Sequence, residues 1–301
     1  MGALEGRVAV ITGAGRGLGR EHALLFAAEG ARLVVNDLGG GPDGSGSDSA
    51  LAQQVAAEIR AAGGQAVANS DDVTSADGAQ RMIQQAVDEF GALHVLVNNA
   101  GILRDRTIVN MTDGEWDDVI RVHLRGHFMP TRAAARYWRE QSKAGNGLQP
   151  SLINTTSTSG LYNNPGQSNY GSAKTGIATL TIIAQRELDR YGVKANAIAP
   201  AARTRLTLAT PGIPDAFLHA PAEGFDAMDP ANVSPFVAYL ATADCPIKGR
   251  IFYVAGGGIH LFQPFAIVDS LTKDGRWTVG ELAEKAGRLA DVPFDLGRPA
   301  I

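Results

Sequence analysis

Short runs of apolar, largely β-branched residues recur along this chain with helical patterns between them, and that alternation leaves few folds open. The runs are RVAVIT (7–12), ARLVVND (31–37), a weaker QAVANSD (65–71), LHVLVN (93–98), SLINTTS (151–157), VKANAIA (193–199) and IFYVA (251–255). A strand wetted on one face alternates apolar and polar residues; these are apolar nearly throughout, so both faces must be covered. Helical patterns near 18–29, 48–62, 75–90, 113–142, 168–191 and 230–243 supply the cover. The expected architecture is α/β: a single doubly wound parallel sheet with helices on both faces.

Three segments fall outside the rhythm. GGGPDGSGSDS (39–49) reads as a flexible loop, residues 260–301 form a C-terminal extension, and residues 202–230 are long, irregular and proline-bearing. A loop of that length inside a compact domain points to a lid over a site, and Leu206, Leu208, Phe217, Leu218 and Phe225 give it apolar character. The expected division is a nucleotide-binding domain over 1–259, lid 202–230 included, followed by the extension 260–301.

Composition narrows the partners. Charged residues make up 19% of the chain and the net charge is -4, which gives no electrostatic case for nucleic acid or an acidic membrane surface. The single cysteine, Cys245, has no second thiol to pair with, and no metal ligand set is expected. No apolar run approaches the roughly 18 residues of a membrane span, and the N-terminus lacks a basic stretch before an apolar core, so the cytoplasm is the expected compartment.

TGAGRGLG (12–19) follows the first strand directly and opens a helix. Bare backbone at Gly13, Gly17 and Gly19 lets a pyrophosphate approach a helix N-terminus, with Arg16 and Leu18 between the glycines. A ligand-free tight turn would look similar, so the position after the first strand carries the argument. Asp37 ends the second strand, where a carboxylate accepts hydrogen bonds from ribose hydroxyls. It would repel a 2′-phosphate by about 4 kcal/mol per unit charge at 4 Å and an effective dielectric of 20. NAD is therefore the expected cofactor, with Arg16 a contrary signal.

SNYGSAK (168–174) places Tyr170 and Lys174 four residues apart, on one helix face, with no acid between them. These residues, with TGAGRGLG, DDV (71–73), NNAG (98–101) and Ser157 thirteen positions before the tyrosine, resemble the short-chain dehydrogenase/reductase family over about residues 4–258. The resemblance implies a Rossmann-type fold in which Tyr170 is the general acid/base, Lys174 lowers its pKa and binds the nicotinamide ribose, and Ser157 hydrogen-bonds the substrate oxygen. It also implies cofactor contacts from Asp72, Val73, Asn99, Gly101, Pro200 and Arg203, and a homodimer or homotetramer.

Two positions depart from the family pattern. His123 in VHLRGHF stands where the family usually has a fourth catalytic residue, asparagine, and PAARTR (200–205) replaces the usual Pro-Gly. The remaining histidines, His22, His94, His127, His219 and His260, read as structural or exposed. Within the family, VVNDLGGG, NNAGILRDR, VHLRG and GLYNNPGQSNY resemble the (3R)-hydroxyacyl-CoA dehydrogenase units of peroxisomal multifunctional enzymes type 2. That implies NAD-dependent oxidation of a (3R)-hydroxyacyl-CoA or a hydroxysteroid, with Arg104, Arg106, Arg203 and Arg205 as candidate partners for coenzyme A phosphates. A 3-oxoacyl carrier-protein reductase and a non-catalytic NAD-binding scaffold are the alternatives; Asp37 argues against the first and the intact Ser157, Tyr170 and Lys174 against the second.

Overall fold

The computed structural model describes residues 2–208, 218–263 and 265–292. Strands β1 (Val8–Thr12), β2 (Arg32–Asn36), β3 (Gln65–Asn69), β4 (Val95–Asn98), β5 (Ser151–Thr155), β6 (Lys194–Ala201), β7 (Ile251–Ala255) and β8 (Gly258–Phe262) form one sheet in the order β3-β2-β1-β4-β5-β6-β7-β8. Every pairing from β3 to β7 is parallel. β8 follows β7 after only Gly256 and Gly257, a connection too short for a parallel return.

Alternate strand residues feed two separate cores. Ala9, Ile11, Leu33, Val35, Val95 and Val97 belong to one apolar cluster, and Val8, Val10, Val34 and Leu96 to the other. The strands are apolar throughout because each side chain, whichever face it takes, meets helices. The first core is completed by α1 (Gly17–Ala28), α2 (Ala50–Ala61) and α9 (Ser234–Ala241). The second is completed chiefly by α3 (Ala76–Phe90) and α5 (Gly126–Lys143). Helix ends follow local chemistry: the Ser75 side chain accepts from Gly78 N at the start of α3, and Gly91 closes it at φ +83°, where only glycine is unstrained.

The helix expected over 113–142 is two helices, α4 (Asp113–Ile120) and α5, joined by one π turn at Arg121–Arg125. A π turn inserts a residue into the helical ladder and often marks a functional position; His123 sits on this one and is buried. Three short helices had no sequence signal: α6 (Thr158–Leu161), α8 (Arg205–Leu208) and α10 (Val279–Lys285). α7 (Ser168–Leu188) follows α6 and carries the SNYGSAK segment.

Of the expected lid, Leu208 and Phe225 are 47% and 67% exposed, and Phe217 lies outside the described residues. Contacts divide the chain into two units, the first running to Leu261 and the second beginning at Phe262. Within the second, α10 starts with a reciprocal capping box between Thr278 and Glu281, and Lys273 and Lys285 both lie against the Trp277 ring. No helix among the described residues is long and apolar enough to cross a membrane.

Candidate active site

Strand order reverses between β1 and β4, and ligands of open α/β sheets bind in the crevice at the carboxyl ends of strands around such a point. A cleft opens there, lined by Gly13, Arg16, Gly17, Leu18, Asp37, Asp72, Val73, Asn99 and Gly101 among the candidate residues. The glycine loop has no room for side chains. A Cβ on Gly19 would stand 2.2 Å from the Gly13 carbonyl oxygen, and Gly13 and Gly17 adopt φ of +63° and +52°. Asn99 ties the loop to β4: its Nδ2 donates to the carbonyls of Thr12 and Gly13, both at 3.2 Å.

Asp37 Oδ2 accepts from Gly15 N at 2.8 Å and Oδ1 from Gly39 N at 2.7 Å. A carboxylate can accept about four hydrogen bonds, so capacity is left for ribose hydroxyls. Bare backbone at the helix start and a carboxylate at the end of the second strand fit a nicotinamide dinucleotide. Arg203 does not join them: its guanidinium pairs with Asp226, its backbone bonds Met228, and it is absent from the cleft wall. Pro200 stays in β6, paired with Val254, and also lies off that wall.

The other end of the cleft, at Gly101 and Ile102, abuts a polar cluster. Ser157 caps α6, its Oγ accepting from Ser159 N at 3.1 Å, and its side chain is near enough to the Tyr170 phenol to lower the phenol's pKa. The Lys174 ammonium is buried, donates to the Thr155 carbonyl at 2.6 Å and lies 5.5 Å from the centre of the Tyr170 ring. The His123 ring meets the Tyr170 ring edge-on, centroids 5.0 Å apart. Ser157, Tyr170, Lys174 and His123 are thus one constellation, carried by the end of β5, by α7 and by the π turn.

The electrostatics differ from the simple expectation of a lowered phenol pKa. Burial pushes Tyr170 up from 10 to about 12; the Ser157 side chain lowers it and the Asp105 carboxylate raises it further. Burial also drives Lys174 from 10.5 down to about 7, so burial works against the cation expected to favour phenolate. Asp105 was not expected here. It reaches the tyrosine through a loop held on α7, where Gln167 Nε2 donates to Asp105 Oδ2 at 2.8 Å and Asn169 Nδ2 donates to the Arg104 carbonyl at 2.9 Å.

The short chain dehydrogenase family profile matches residues 7–209. This chain belongs to that family. It is 43% identical over 286 residues to hydroxyacyl-CoA dehydrogenase ChsB1 of Mycobacterium tuberculosis, covering 93% of this chain and 87% of that one. It is 42% identical over 255 residues to mouse peroxisomal multifunctional enzyme type 2, covering 85% of this chain and 32% of that enzyme. Among solved structures, a short chain dehydrogenase from Mycobacterium avium superposes with a TM-score of 0.85 at 47% identity, over 100% of this chain and 98% of the other. The chain is accordingly an oxidoreductase.

In this short-chain dehydrogenase the atypical His123 has a structural explanation. Its Nε2 lies 2.7 Å from the Ile102 carbonyl and 3.1 Å from the Ile102 amide, and a Cβ on Gly101 would come within 2.3 Å of the ring. The imidazole fills the space beside glycine and clamps the 101–102 backbone that walls the cleft. Burial and Lys174 hold its pKa well below the usual value, so it stays neutral. His123→Asn is expected to remain active, since a shorter amide can still bond that backbone. A loss above a hundredfold, with the fold intact by circular dichroism, would make the imidazole a direct participant.

His127, one turn beyond His123, is buried at the same site and pushed down to about 3 by burial and by Lys174. Its spacing of four from His123 was a visible signal that the two share a face.

Proposed function

We propose that this chain oxidises a secondary alcohol with NAD as acceptor, the alcohol being the (3R)-hydroxyl of a long or sterol-derived acyl-CoA. The observation that carries the chemistry is the phenol of Tyr170, with Ser157 close enough to lower its pKa and Lys174 beside its ring, next to a cleft that fits a dinucleotide. Ser157 orients the substrate oxygen and stabilises charge on it, and Tyr170 takes the hydroxyl proton. Lys174 stands by the phenol as a cation, and Asn99 and the glycine loop hold the cofactor. A bound oxidised nicotinamide supplies the hydride acceptor and a positive charge beside the phenol. Asp37 supports NAD over NADP, by its repulsion of a 2′-phosphate.

For the substrate, support comes from the hydroxyacyl-CoA dehydrogenase name of a relative that matches nearly end to end. Exposed apolar residues close in sequence to Asp105 add to it. Ile108 and Val109, 78% and 88% exposed, follow the loop fastened to α7, and apolar surface of this kind gains about 25 cal/mol per Å² when a greasy chain covers it. Arginines do not add support. Arg104 pairs with Asp118 at 3.2 Å, Arg106 with Glu115 at 3.3 Å and Arg203 with Asp226.

A long-chain (3R)-hydroxyacyl-CoA is expected to be oxidised with higher kcat/KM than a free 17β-hydroxysteroid, measured by NAD reduction. Faster oxidation of the steroid would overturn the acyl-CoA assignment while leaving the hydride chemistry in place. No turnover with any alcohol, alongside normal NAD binding, would favour the scaffold reading instead.

A further inference from the structure

Asp105 is flanked in sequence by two arginines and pairs with neither. The Arg104 guanidinium goes to Asp118 at 3.2 Å and that of Arg106 to Glu115 at 3.3 Å, both acids of α4. Asp105 Oδ2 accepts from a neutral donor, Gln167 Nε2 at 2.8 Å, and Oδ1 is buried with no hydrogen-bond partner among the described residues. A carboxylate taken out of water without a paired cation costs free energy, so this one is not explained by folding. Two hydrogen-bonded arms tie its loop to both catalytic residues. In one, the buried Asn169 side chain donates to the carbonyls of Arg104 at 2.9 Å and Glu115 at 3.1 Å and accepts from Tyr170 N at 2.7 Å. In the other, Gln167 Oε1 accepts from Asn164 Nδ2 at 3.4 Å, the same Nδ2 reaches Ser159 Oγ at 3.2 Å, and Ser159 N donates to Ser157 Oγ. A parallel bridge between Arg106 and Gln167 fixes the register of loop against helix.

Lys174 from α7, His123 from the π turn and Asp105 from the loop all act on the Tyr170 side chain. His123 is neutral, as is His127, which Lys174 also influences, so the opposing charges are the lysine and the aspartate. Burial raises the pKa of Asp105 itself, against Gln167 and the charge of Arg106. We propose that Asp105 is a positioning residue for the reaction: anchored by Gln167, its carboxylate keeps the Tyr170 phenol protonated until a positively charged nicotinamide and the alcohol are in place. The proposal rests on Tyr170 as the general acid/base. Removing the negative charge favours phenolate. Oxidation needs phenolate, so its kcat/KM climbs with pH along an acid limb; reduction needs phenol, so its kcat/KM falls along an alkaline limb. The two limbs lie at different pH, because the oxidised nicotinamide is positive and the reduced one is not, yet both report one oxygen. The alcohol–ketone equilibrium itself is untouched by any residue.

Asp105→Asn keeps an acceptor for Gln167 and loses only the charge. Profiles of kcat/KM against pH, with (3R)-hydroxydecanoyl-CoA and NAD in one direction and 3-oxodecanoyl-CoA and NADH in the other, should both have their limbs moved to lower pH by about one pH unit. The tyrosinate titration, read with NAD bound as the ultraviolet difference between each protein and its Tyr170→Phe counterpart, should move the same way without any substrate. Asp105→Glu retains the charge and should leave the limbs near those of the parent. Asp105→Ser, smaller and also neutral, should act as Asn does and stands in for it if that variant fails to fold. A rate lowered equally at every pH, with the limbs unmoved, would make Asp105 a structural tie and overturn the proposal. So would limbs displaced to higher pH, or a glutamate variant that behaves as the asparagine one. If the parent turns over neither thioester, the substrate assignment falls and the tyrosinate titration decides the proposal alone. Parental turnover by Tyr170→Phe would bring down the general-base reading and this proposal together.

Discussion

Tyr170→Phe is expected to lower turnover by about 10²- to 10⁴-fold, the range for losing a general acid/base, while leaving NAD binding nearly intact. The substitution removes one oxygen and keeps the ring. The edge-on contact with His123 at 5.0 Å and the Lys174 ammonium 5.5 Å from the ring centre both survive it. What is lost is the phenolic oxygen beside Ser157 that takes the substrate proton. Turnover by NAD reduction and affinity by calorimetry test the two halves separately. Turnover within threefold of the parent would show that the phenol is not the base.

The pH behaviour follows from the same oxygen. With its pKa near 12 in the cofactor-free protein, Tyr170 is almost wholly protonated at neutrality and cannot act as a base. A positive charge beside it favours phenolate. The tyrosinate titration, read as the ultraviolet difference between parent and Tyr170→Phe, should therefore move to lower pH when NAD binds. Asp105 opposes this movement, having a negative charge within reach of the phenol.

The sheet was legible because it follows from period alone. Val8 and Val10 face one core, Ala9 and Ile11 the other, and a run apolar at every position admits only strands buried on both faces. β8 was not legible, because Ile259 and Leu261 at the sheet edge are 52% and 61% exposed and GIHLF lacks a continuous apolar run. The π turn left no trace either: one inserted residue in a long helical pattern does not disturb the periodicity of the turns around it. At the site, Tyr170 and Lys174 were visible as an i, i+4 pair, since one helix sets their geometry. Asp105 reaches the site on a loop from a separate part of the chain, and no local spacing encodes such a contact. That is why an acid-free SNYGSAK suggested a phenol without acidic neighbours.

Lys174→Met should lower kcat by about 10²- to 10³-fold, the scale for removing a preorganised charge-stabilising group, and it should change the stability of the cofactor-free protein in the opposite sense below neutral pH. Burial lowers the lysine pKa from 10.5 in the unfolded chain to about 7 in the fold. Between those values the unfolded state binds more protons than the native state, so stability rises with pH across the window. Below pH 7 the buried charge is a full burden, with a ceiling of roughly 4–5 kcal/mol from 1.36 kcal/mol per pKa unit. Methionine carries no charge, but it strands the Thr155 carbonyl that accepts from Lys174 at 2.6 Å, which costs about 1–3 kcal/mol at any pH. The level of stability therefore mixes two effects, and the slope isolates one. Lys194 is also lowered, but it is present in both proteins and cancels in the comparison; Tyr170, raised above 10, acts only at higher pH and with the opposite sign. Denaturant unfolding at intervals from pH 6 to 9.5 should show the parent gaining stability relative to Lys174→Met as pH rises. Parallel curves would mean that the ammonium is hydrated in solution, and the cation beside Tyr170 would then be too well screened to assist the phenol. A pair that converges as pH rises, with turnover lost in the more acid-stable variant, would identify Lys174 as a charge held in the fold at the expense of stability for the sake of the reaction.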